Sequence, residues 1–278
     1  MSDASRPRAE LAAHFLALHH GDAPFVIPNA WDAGSAKLFE SLGAAAIATT
    51  SSGYAATLGR LDYDMTRAET VAHSRVMAGA VAIPVSADFE NGFADDPADV
   101  AEAVREAKDT ALCGLSIEDF TRDHDQPLYE TTRAAARVEA AAEAAHGGDV
   151  SIVLTARAEG ALRGHGALDG PGGIIARLQS FQDNGADVLF APGITDLDDI
   201  ATIVRNVDRP VNVILPAGVT VAELGQAGVR RVSVGGSLAF TALGAAANAV
   251  RELLEHGRSD YLTAAVEGRN AARAAFSD

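Results

Sequence analysis

"AIPVSADFENGF", residues 82–93, runs from a β-branched segment straight into two acids one residue apart. A buried strand ending in an ordinary turn needs only Asn91 and Gly92, so Asp88 and Glu90 call for another explanation. Side chains of an extended chain alternate sides, so both acids point the same way, where like charges repel unless something positive lies between them. A solvated loop is the plain alternative, since exposed acids are common. The pattern is not confined to this stretch, and its recurrence decides the fold.

Short apolar or β-branched runs lie near 24–29, 45–50, 83–88, 114–119, 150–157, 186–192, 210–215 and 230–236. Between them stand Ala-rich segments of helical period, such as "DAGSAKLFESLG" and "DPADVAEAVREAKDTA". Several runs are entered through a glycine turn ("LGAAAI", "CGLSI", "NGADVL", "AGVRRV"), as expected of a helix C-cap before a buried strand. Strand–helix alternation predicts a parallel sheet, and eight units close an α/β barrel, the (β/α)8 TIM barrel. An open doubly wound sheet is the alternative, but no G-x-G-x-x-G follows the first run. Residues 1–22 are expected to form an extra N-terminal helix and residues from about 237 to 278 the C-terminal helices. With no linker or low-complexity segment, residues 1–278 read as a single domain.

Composition narrows the function. Of 278 residues, 48% are apolar, enough for a large core. A net charge of −16 argues against nucleic acid or an anionic membrane as partner. No apolar run reaches the roughly 18 residues of a membrane span, and "MSDASRPRAE" has no hydrophobic signal core, so a cytoplasmic protein is expected. The lone cysteine, Cys113, excludes an internal disulfide and a Cys-rich zinc site. Both lysines, Lys37 and Lys108, fall in helical segments, which argues against Schiff-base chemistry.

In such a barrel, chemistry sits at the C-terminal ends of the strands. There the runs end in "PNAWD", "TTSSG", Asp88 with Glu90, Glu118 with Asp119, Arg157 with Glu159, and "GGS". Neighbouring strands thus direct acids, and the next an arginine, into one mouth. Carboxylates so crowded could not all stay ionised without a cation. A hard divalent ion is the economical answer, and Mg²⁺ suits it because it keeps waters and recruits substrate oxygens.

These residues carry a resemblance to the isocitrate lyase/phosphoenolpyruvate mutase superfamily, running from "FVIPNAWDAGSAKLFESLG" to "RRVSVGGSLAFTALG". "TTSSGYAATLGRLD" resembles the family's strand-two loop, which implies substrate-carboxylate binding by Thr50, Ser51 and Ser52 and an acid at Asp62. "ADFENGF" resembles its metal motif, and "GLSIED" the segment supplying a further acid, which implies Mg²⁺, or Mn²⁺ in its stead, at Asp88, Glu90 and Glu118. "LTARAEG" implies that Arg157 contacts the substrate. The chain departs from the family after strand four. "EDFTRDHDQPLYE" lacks the K-[KR]-C-G-H run of the isocitrate and methylisocitrate lyases, and Phe120 stands where mutases and phosphonopyruvate hydrolases carry a lysine. Arg122 could restore that charge, and His124 is either a catalytic group or a solvated loop residue. Cys113 precedes its strand and is expected at the far end of the barrel, as a buried structural thiol.

Other positions stay open. Asp62 is either a catalytic acid or a cap for the helix beginning near "MTRAET"; Asp119 is either metal-facing or ion-paired. Trp31 and Asn29 are site wall or packing, His165 belongs to a lid or to a plain loop, and "GGS" at 235–237 is a weak anion site. The expected activity is Mg²⁺-dependent cleavage of a C–C bond in a 2-oxo or 2-hydroxy carboxylate, as lyase or decarboxylase. P–C bond cleavage by a phosphonomutase or phosphonopyruvate hydrolase is the alternative, and a non-catalytic 2-oxo acid binding barrel the third reading. The resemblance also implies a homodimer or homotetramer that exchanges a C-terminal helix.

Overall fold

The computed structural model describes residues 7–168, 170 and 172–277. Its strands form one parallel sheet in the order β1-β9-β8-β7-β6-β5-β4-β3-β2. β1 (Phe25–Ile27) pairs with β9 (Arg231–Ser233), and β2 (Asn29–Ala30) pairs with β3 (Ile47–Thr49). β1 and β2 are two halves of one segment, interrupted at Pro28, which has no N–H but accepts from the Ala48 amide at 3.0 Å. That segment joins both ends of the sheet and closes the barrel. The remaining staves are β4 (Val85–Asp88), β5 (Gly114–Glu118), β6 (Val153–Arg157), β7 (Val188–Phe190) and β8 (Val211–Ile214). With β1 and β2 counted as one stave, all eight fall on the runs read from the sequence, β2 passing the end of the first run by one residue.

The helices start where local chemistry satisfies their first amides. α2 (Ala33–Ser41) and α4 (Arg67–Ala80) open on reciprocal capping boxes, Asp32 with Ser35 and Thr66 with Glu69. α5 (Pro97–Lys108) opens on Asp96 followed by proline, which has no amide to leave unsatisfied. One expectation is corrected here: "SSGYAAT", read as loop, is the helix α3 (Ser51–Thr57), capped by Thr50. Around the barrel follow α6 (Thr131–His146), a 3-10 turn at Gly160–Arg163, α7 (Ile174–Asp183), α8 (Leu197–Arg205) and α9 (Val221–Gln226). α10 (Ser237–His256) and α11 (Leu262–Phe276) form the C-terminal extension, and the expected N-terminal helix is α1 (Arg8–Leu18). Residues 1–6 of that expectation, and residue 278, lie outside the described residues. Among the described residues no helix is long and apolar enough to cross a membrane.

Strand alternation sorts the chemistry into layers. On β6, Leu154 and Ala156 join the main core against the surrounding helices, while Val153, Thr155 and Arg157 take the opposite face. β5 repeats the pattern, with Gly114, Ser116 and Glu118 in register beside those three. The barrel therefore has an apolar floor, a small polar middle and a charged top. α1 seals the floor: Phe15 is fully buried among Ile27, Ala46, Cys113, Val153 and Val188. Gly114 is required there, since a Cβ would lie 2.7 Å from the Phe15 ring. Cys113 sits in that floor, buried and remote from the charged rim, as expected of a structural thiol.

Candidate active site

The loop following β4 sets the first part of the rim. Glu90 and Phe93 have positive φ, as do Tyr63 and Arg122, an arrangement that costs roughly 1–3 kcal/mol per residue and must be imposed by surroundings. The surroundings do impose it. Buried Arg137 on α6 donates to the carbonyls of Asn91, Ala94 and Asp95, clamping the loop from below. The Glu118 amide donates to the Glu90 carbonyl at 2.9 Å. Arg122 pairs with the Glu90 carboxylate and lies over the rings of Phe93 and Tyr63, at 5.1 and 5.8 Å from their centroids. The left-handed residues Tyr63, Glu90, Phe93 and Arg122 thus converge on one place.

Arg157, at the end of β6, is the hub. Its guanidinium contacts Glu159 through Nε, and Nη1 lies 3.3 Å from Glu118 Oε2 and 3.7 Å from Asp88 Oδ1. Burial alone would lower its pKa, but Glu118, Glu159 and Asp88 outweigh burial and keep it charged. Tyr63 donates to the other Glu118 oxygen at 2.9 Å and accepts from Arg163 at 2.6 Å. Arg163 reaches Glu159 at 3.0 Å and caps the Phe120 ring at 3.6 Å from its centroid. Burial first, then Glu159 and Asp88, raise Glu118 well above the usual carboxylate range, with Arg157 working against them. Burial also raises Glu90 to about 7 against the pull of Arg122. Arginines supply much of the positive charge among these acids, a role the sequence reading assigns to a bound cation.

Asp88, Asp62, Arg157, Thr50, Ser51 and Ser52 all line one cavity of about 160 Å³ at the strand ends. Asp88 Oδ2 is fixed by the Ser51 amide and hydroxyl at 3.0 and 2.9 Å, so Ser51 holds an acid rather than standing open for substrate. Thr50 and Ser52 share a hydroxyl contact of 3.1 Å. Asp62 stands exposed at the opening; desolvation of its carboxyl by the surrounding protein, and then the Asp88 charge, raise its pKa. Asn29 also lines the cavity and ties three strand ends together, donating to the Thr49 carbonyl and accepting from the Val234 and Gly235 amides. Gly235 and Gly236 complete that side, where a side chain on Gly236 would collide with Ser52 Oγ.

Several expected site residues lie off this wall. Trp31 packs edge-on against Phe39, and the cavity does not reach it. His124 is exposed on the loop after β5 beside Phe120, and His165 borders a separate surface groove. Arg122 is engaged by Glu90 rather than facing the cavity. Asp119 is ion-paired: it accepts from Arg177 at 3.1 Å and from the Glu159 amide at 2.8 Å.

The expected trio Asp88, Glu90 and Glu118 does not gather into a metal cage; among the described residues no cluster of three or more His, Cys, Asp or Glu does so. Both Glu118 oxygens are occupied, by Tyr63 and Arg157. Buried Asp88 Oδ1 and Glu90 Oε1, however, have no hydrogen-bond partner. Each is an unsatisfied acceptor of the kind that an ion such as Mg²⁺, which takes one or two carboxylates and keeps its waters, would use. Sequence reading missed the roles of Tyr63, Arg163 and Arg177; for the two arginines the one visible sign is composition, since only two of the 22 basic residues are lysines.

The Asp119–Arg177 pair yields a pH-dependent test. Burial raises Asp119 to about 6, against the Glu159 amide and Arg177. A raised carboxyl pKa means the folded state binds the extra proton, so the group's stability contribution is present at low pH and is lost as pH rises through about 6. Removing the arginine leaves an unpaired buried charge, a defect that costs about 3–5 kcal/mol. Arg177→Leu is therefore expected to destabilise the protein strongly at pH 8 and much less at pH 5, measured by urea denaturation. Equal losses at both pH values would contradict the pairing.

Comparison with known proteins agrees with this geometry. The phosphoenolpyruvate phosphomutase family profile matches residues 15–254. A crystal structure from Burkholderia cenocepacia J2315, provisionally named a lyase/mutase, superposes with a TM-score of 0.92 over 97% of each chain at 44% identity. An uncharacterized protein of Mycobacterium tuberculosis is 35% identical over 239 residues, 85% of this chain and 87% of its own length. The crystal structure of 2,3-dimethylmalate lyase gives a TM-score of 0.79 at 25% identity, covering 90% of this chain and 89% of that one. With a barrel closed through Pro28 and an acid–arginine rim at its strand ends, the chain belongs to the isocitrate lyase/phosphoenolpyruvate mutase superfamily.

Proposed function

We propose that this chain is a Mg²⁺-dependent lyase or decarboxylase that breaks a carbon–carbon bond in a 2-oxo or 2-hydroxy carboxylate. The observation that supports this most is the shared wall on which Asp88, Asp62 and Arg157 border one small cavity. Asp88, with Glu90 nearby, would hold Mg²⁺, which would supply a Lewis acid for negative charge on the substrate's carboxylate and 2-oxygen. Arg157 adds a planar pair of donors to the same oxygens. Because Glu118, Glu159 and Asp88 hold it in advance, it needs no reorganisation as charge develops. Asp62, with its pKa raised at the cavity opening, accepts or donates the proton that the leaving fragment requires. Named relatives at lower identity include 2-methylisocitrate lyase and oxaloacetate decarboxylase.

Phosphorus–carbon cleavage is the second reading. It would need Arg122 to meet a phosphoryl group, and the engagement of Arg122 with Glu90 weighs against it. Binding without turnover is the third. A turnover screen with Mg²⁺ and oxaloacetate, methylisocitrate, 2,3-dimethylmalate and phosphonopyruvate separates the three. The expected result is product from a carbon–carbon substrate, with kcat reduced about 10²-fold in Arg157→Lys, since a point charge does not reproduce the fork. Product from phosphonopyruvate alone would favour the second reading. No product from any of them, with oxalate still bound, would favour the third.

The assembly proposed with this activity is a homo-oligomer. α10 leaves Phe240, Leu243, Val250 and Leu254 exposed at a spacing that makes one stripe, and a second copy is the occupant that a C-terminal exchange would bring. Light scattering is expected to give a dimer or tetramer that Leu243→Glu/Val250→Glu disrupts. A monomeric mass for the unaltered protein would contradict this.

A further inference from the structure

Arg163 lies off the cavity, yet it closes a circuit around the rim arginine. It ends the 3-10 turn Gly160–Arg163, four residues after Glu159. Its Nη2 serves two partners from different parts of the chain, the Tyr63 hydroxyl at 2.6 Å and Glu159 Oε2 at 3.0 Å. From Tyr63 the contacts run to Glu118 Oε1 at 2.9 Å, then from Glu118 Oε2 to Arg157 Nη1 at 3.3 Å. Arg157 Nε donates to Glu159 Oε1, and Glu159 leads back to Arg163. Five side chains thus make one closed ring, and Arg157 is its only member on the cavity wall.

Donor chemistry sets the direction of each link. A guanidinium has no acceptor, so Arg163 donates to the Tyr63 oxygen, and the phenol's one proton is committed to Glu118. Each carboxylate is therefore met from two sides, Glu118 by Tyr63 and Arg157, Glu159 by Arg157 and Arg163. Two guanidinium and two carboxylate groups leave the ring without net charge. Arg157 commits Nε and Nη1 to it, and Nη2, which has no partner among the described residues, is open to a ligand.

The ring has a rigid backing. Arg163 lies over Phe120, 3.6 Å from the ring centroid, and Tyr63 meets the same ring edge-on at 5.2 Å. Phe120 itself is buried. Tyr63 holds left-handed backbone at φ 67°, a conformation that a non-glycine residue keeps only when its surroundings impose it. The segments that follow β3, β5 and β6 are joined at this one point.

We propose that Arg163 is a positioning residue: through Tyr63 and Glu159 it fixes the plane of Arg157 without touching the substrate. The role rests on the proposed reading of Arg157 as the group that meets the substrate's oxygens. An Arg163 that only stapled its turn to Phe120 would contribute to stability alone. One that closes the ring contributes to the chemistry, and does so jointly with Tyr63.

The test is a double-mutant cycle of Arg163→Met and Tyr63→Phe, read in kcat and KM on the substrate that the turnover screen identifies. Methionine keeps apolar contact with Phe120 and removes the charge; phenylalanine removes one hydroxyl. Each single variant is expected to lower kcat by roughly 10- to 100-fold, the order that a misplacement of about 1 Å costs, with KM changed by less than about threefold. Because both cut the same ring, the double variant is expected to lose no more than about threefold beyond the worse single variant. Losses that multiply in the double variant, or single variants with lowered melting temperature and unchanged kcat, would overturn the proposal. A second readout needs no turnover. The Arg157 Nε–H, assigned by ¹⁵N NMR from its absence in Arg157→Lys, is expected to exchange with water about tenfold faster or more in both single variants. Exchange as slow as in the unaltered protein would overturn the ring, with or without a substrate in hand. Faster exchange in both variants, with no turnover by any of the proteins, would support the ring and count against the enzymatic reading alone.

Discussion

The structure depends on the way Arg157 is held. A guanidinium at the end of β6 would be mobile and hydrated if it stood alone. Here Glu118 and Glu159 take its two sides and Asp88 lies just beyond, so its plane is set before any ligand arrives. Each of those acids is fixed in turn, Glu118 by Tyr63, Asp88 by Ser51 and Glu159 by Arg163. The chain accepts left-handed backbone at Tyr63 and Glu90 to bring these groups together. An arginine so enclosed keeps its charge and loses its freedom, which is what stabilising a developing anion requires.

The layered interior explains why such a charged rim can sit on a stable barrel. The two-residue repeat of each strand sends Leu154 and Ala156 into the core under the helices and Val153, Thr155 and Arg157 inward at successive heights. Phe15 closes the bottom from α1, so the polar middle opens only toward the rim. The cavity wall runs from Asp62, Asp88 and Arg157 at the rim through small hydroxyl and amide groups to Arg231.

The barrel was legible in the sequence because strand–helix alternation and glycine turns are local signals. Asp88 and Arg157 were legible too, since strand ends in such a barrel point to the mouth, whereas Asp62 was reached through the resemblance of "TTSSGYAATLGRLD". What the sequence could not convey was pairing. Glu118 looks like a metal ligand until Tyr63, 55 positions earlier, is seen to bond it. Asp119 differs from it by one position and faces Arg177 instead, because successive residues point to opposite sides. Arg231 sits in "RRVSVGG", an apparently ordinary strand, and only closure of the sheet against Phe25 and Asn212 shows that its side chain points inward. His124 and Trp31 drew attention by residue type, yet the loop after β5 and the packing of α2 leave both outside the cavity.

The central claim is that Asp88 and Glu90 hold an ion beside Arg157 for a 2-oxo acid to join. Anomalous diffraction from crystals soaked with Mn²⁺ and oxalate tests it most directly. The account predicts a single strong peak within coordination distance of Asp88 Oδ1, about 2.0–2.2 Å if Mn²⁺ takes Mg²⁺-like geometry, with oxalate between the ion and Arg157. Crystals that bind oxalate at Arg157 with no peak at Asp88, or a peak only elsewhere on the protein, would contradict it.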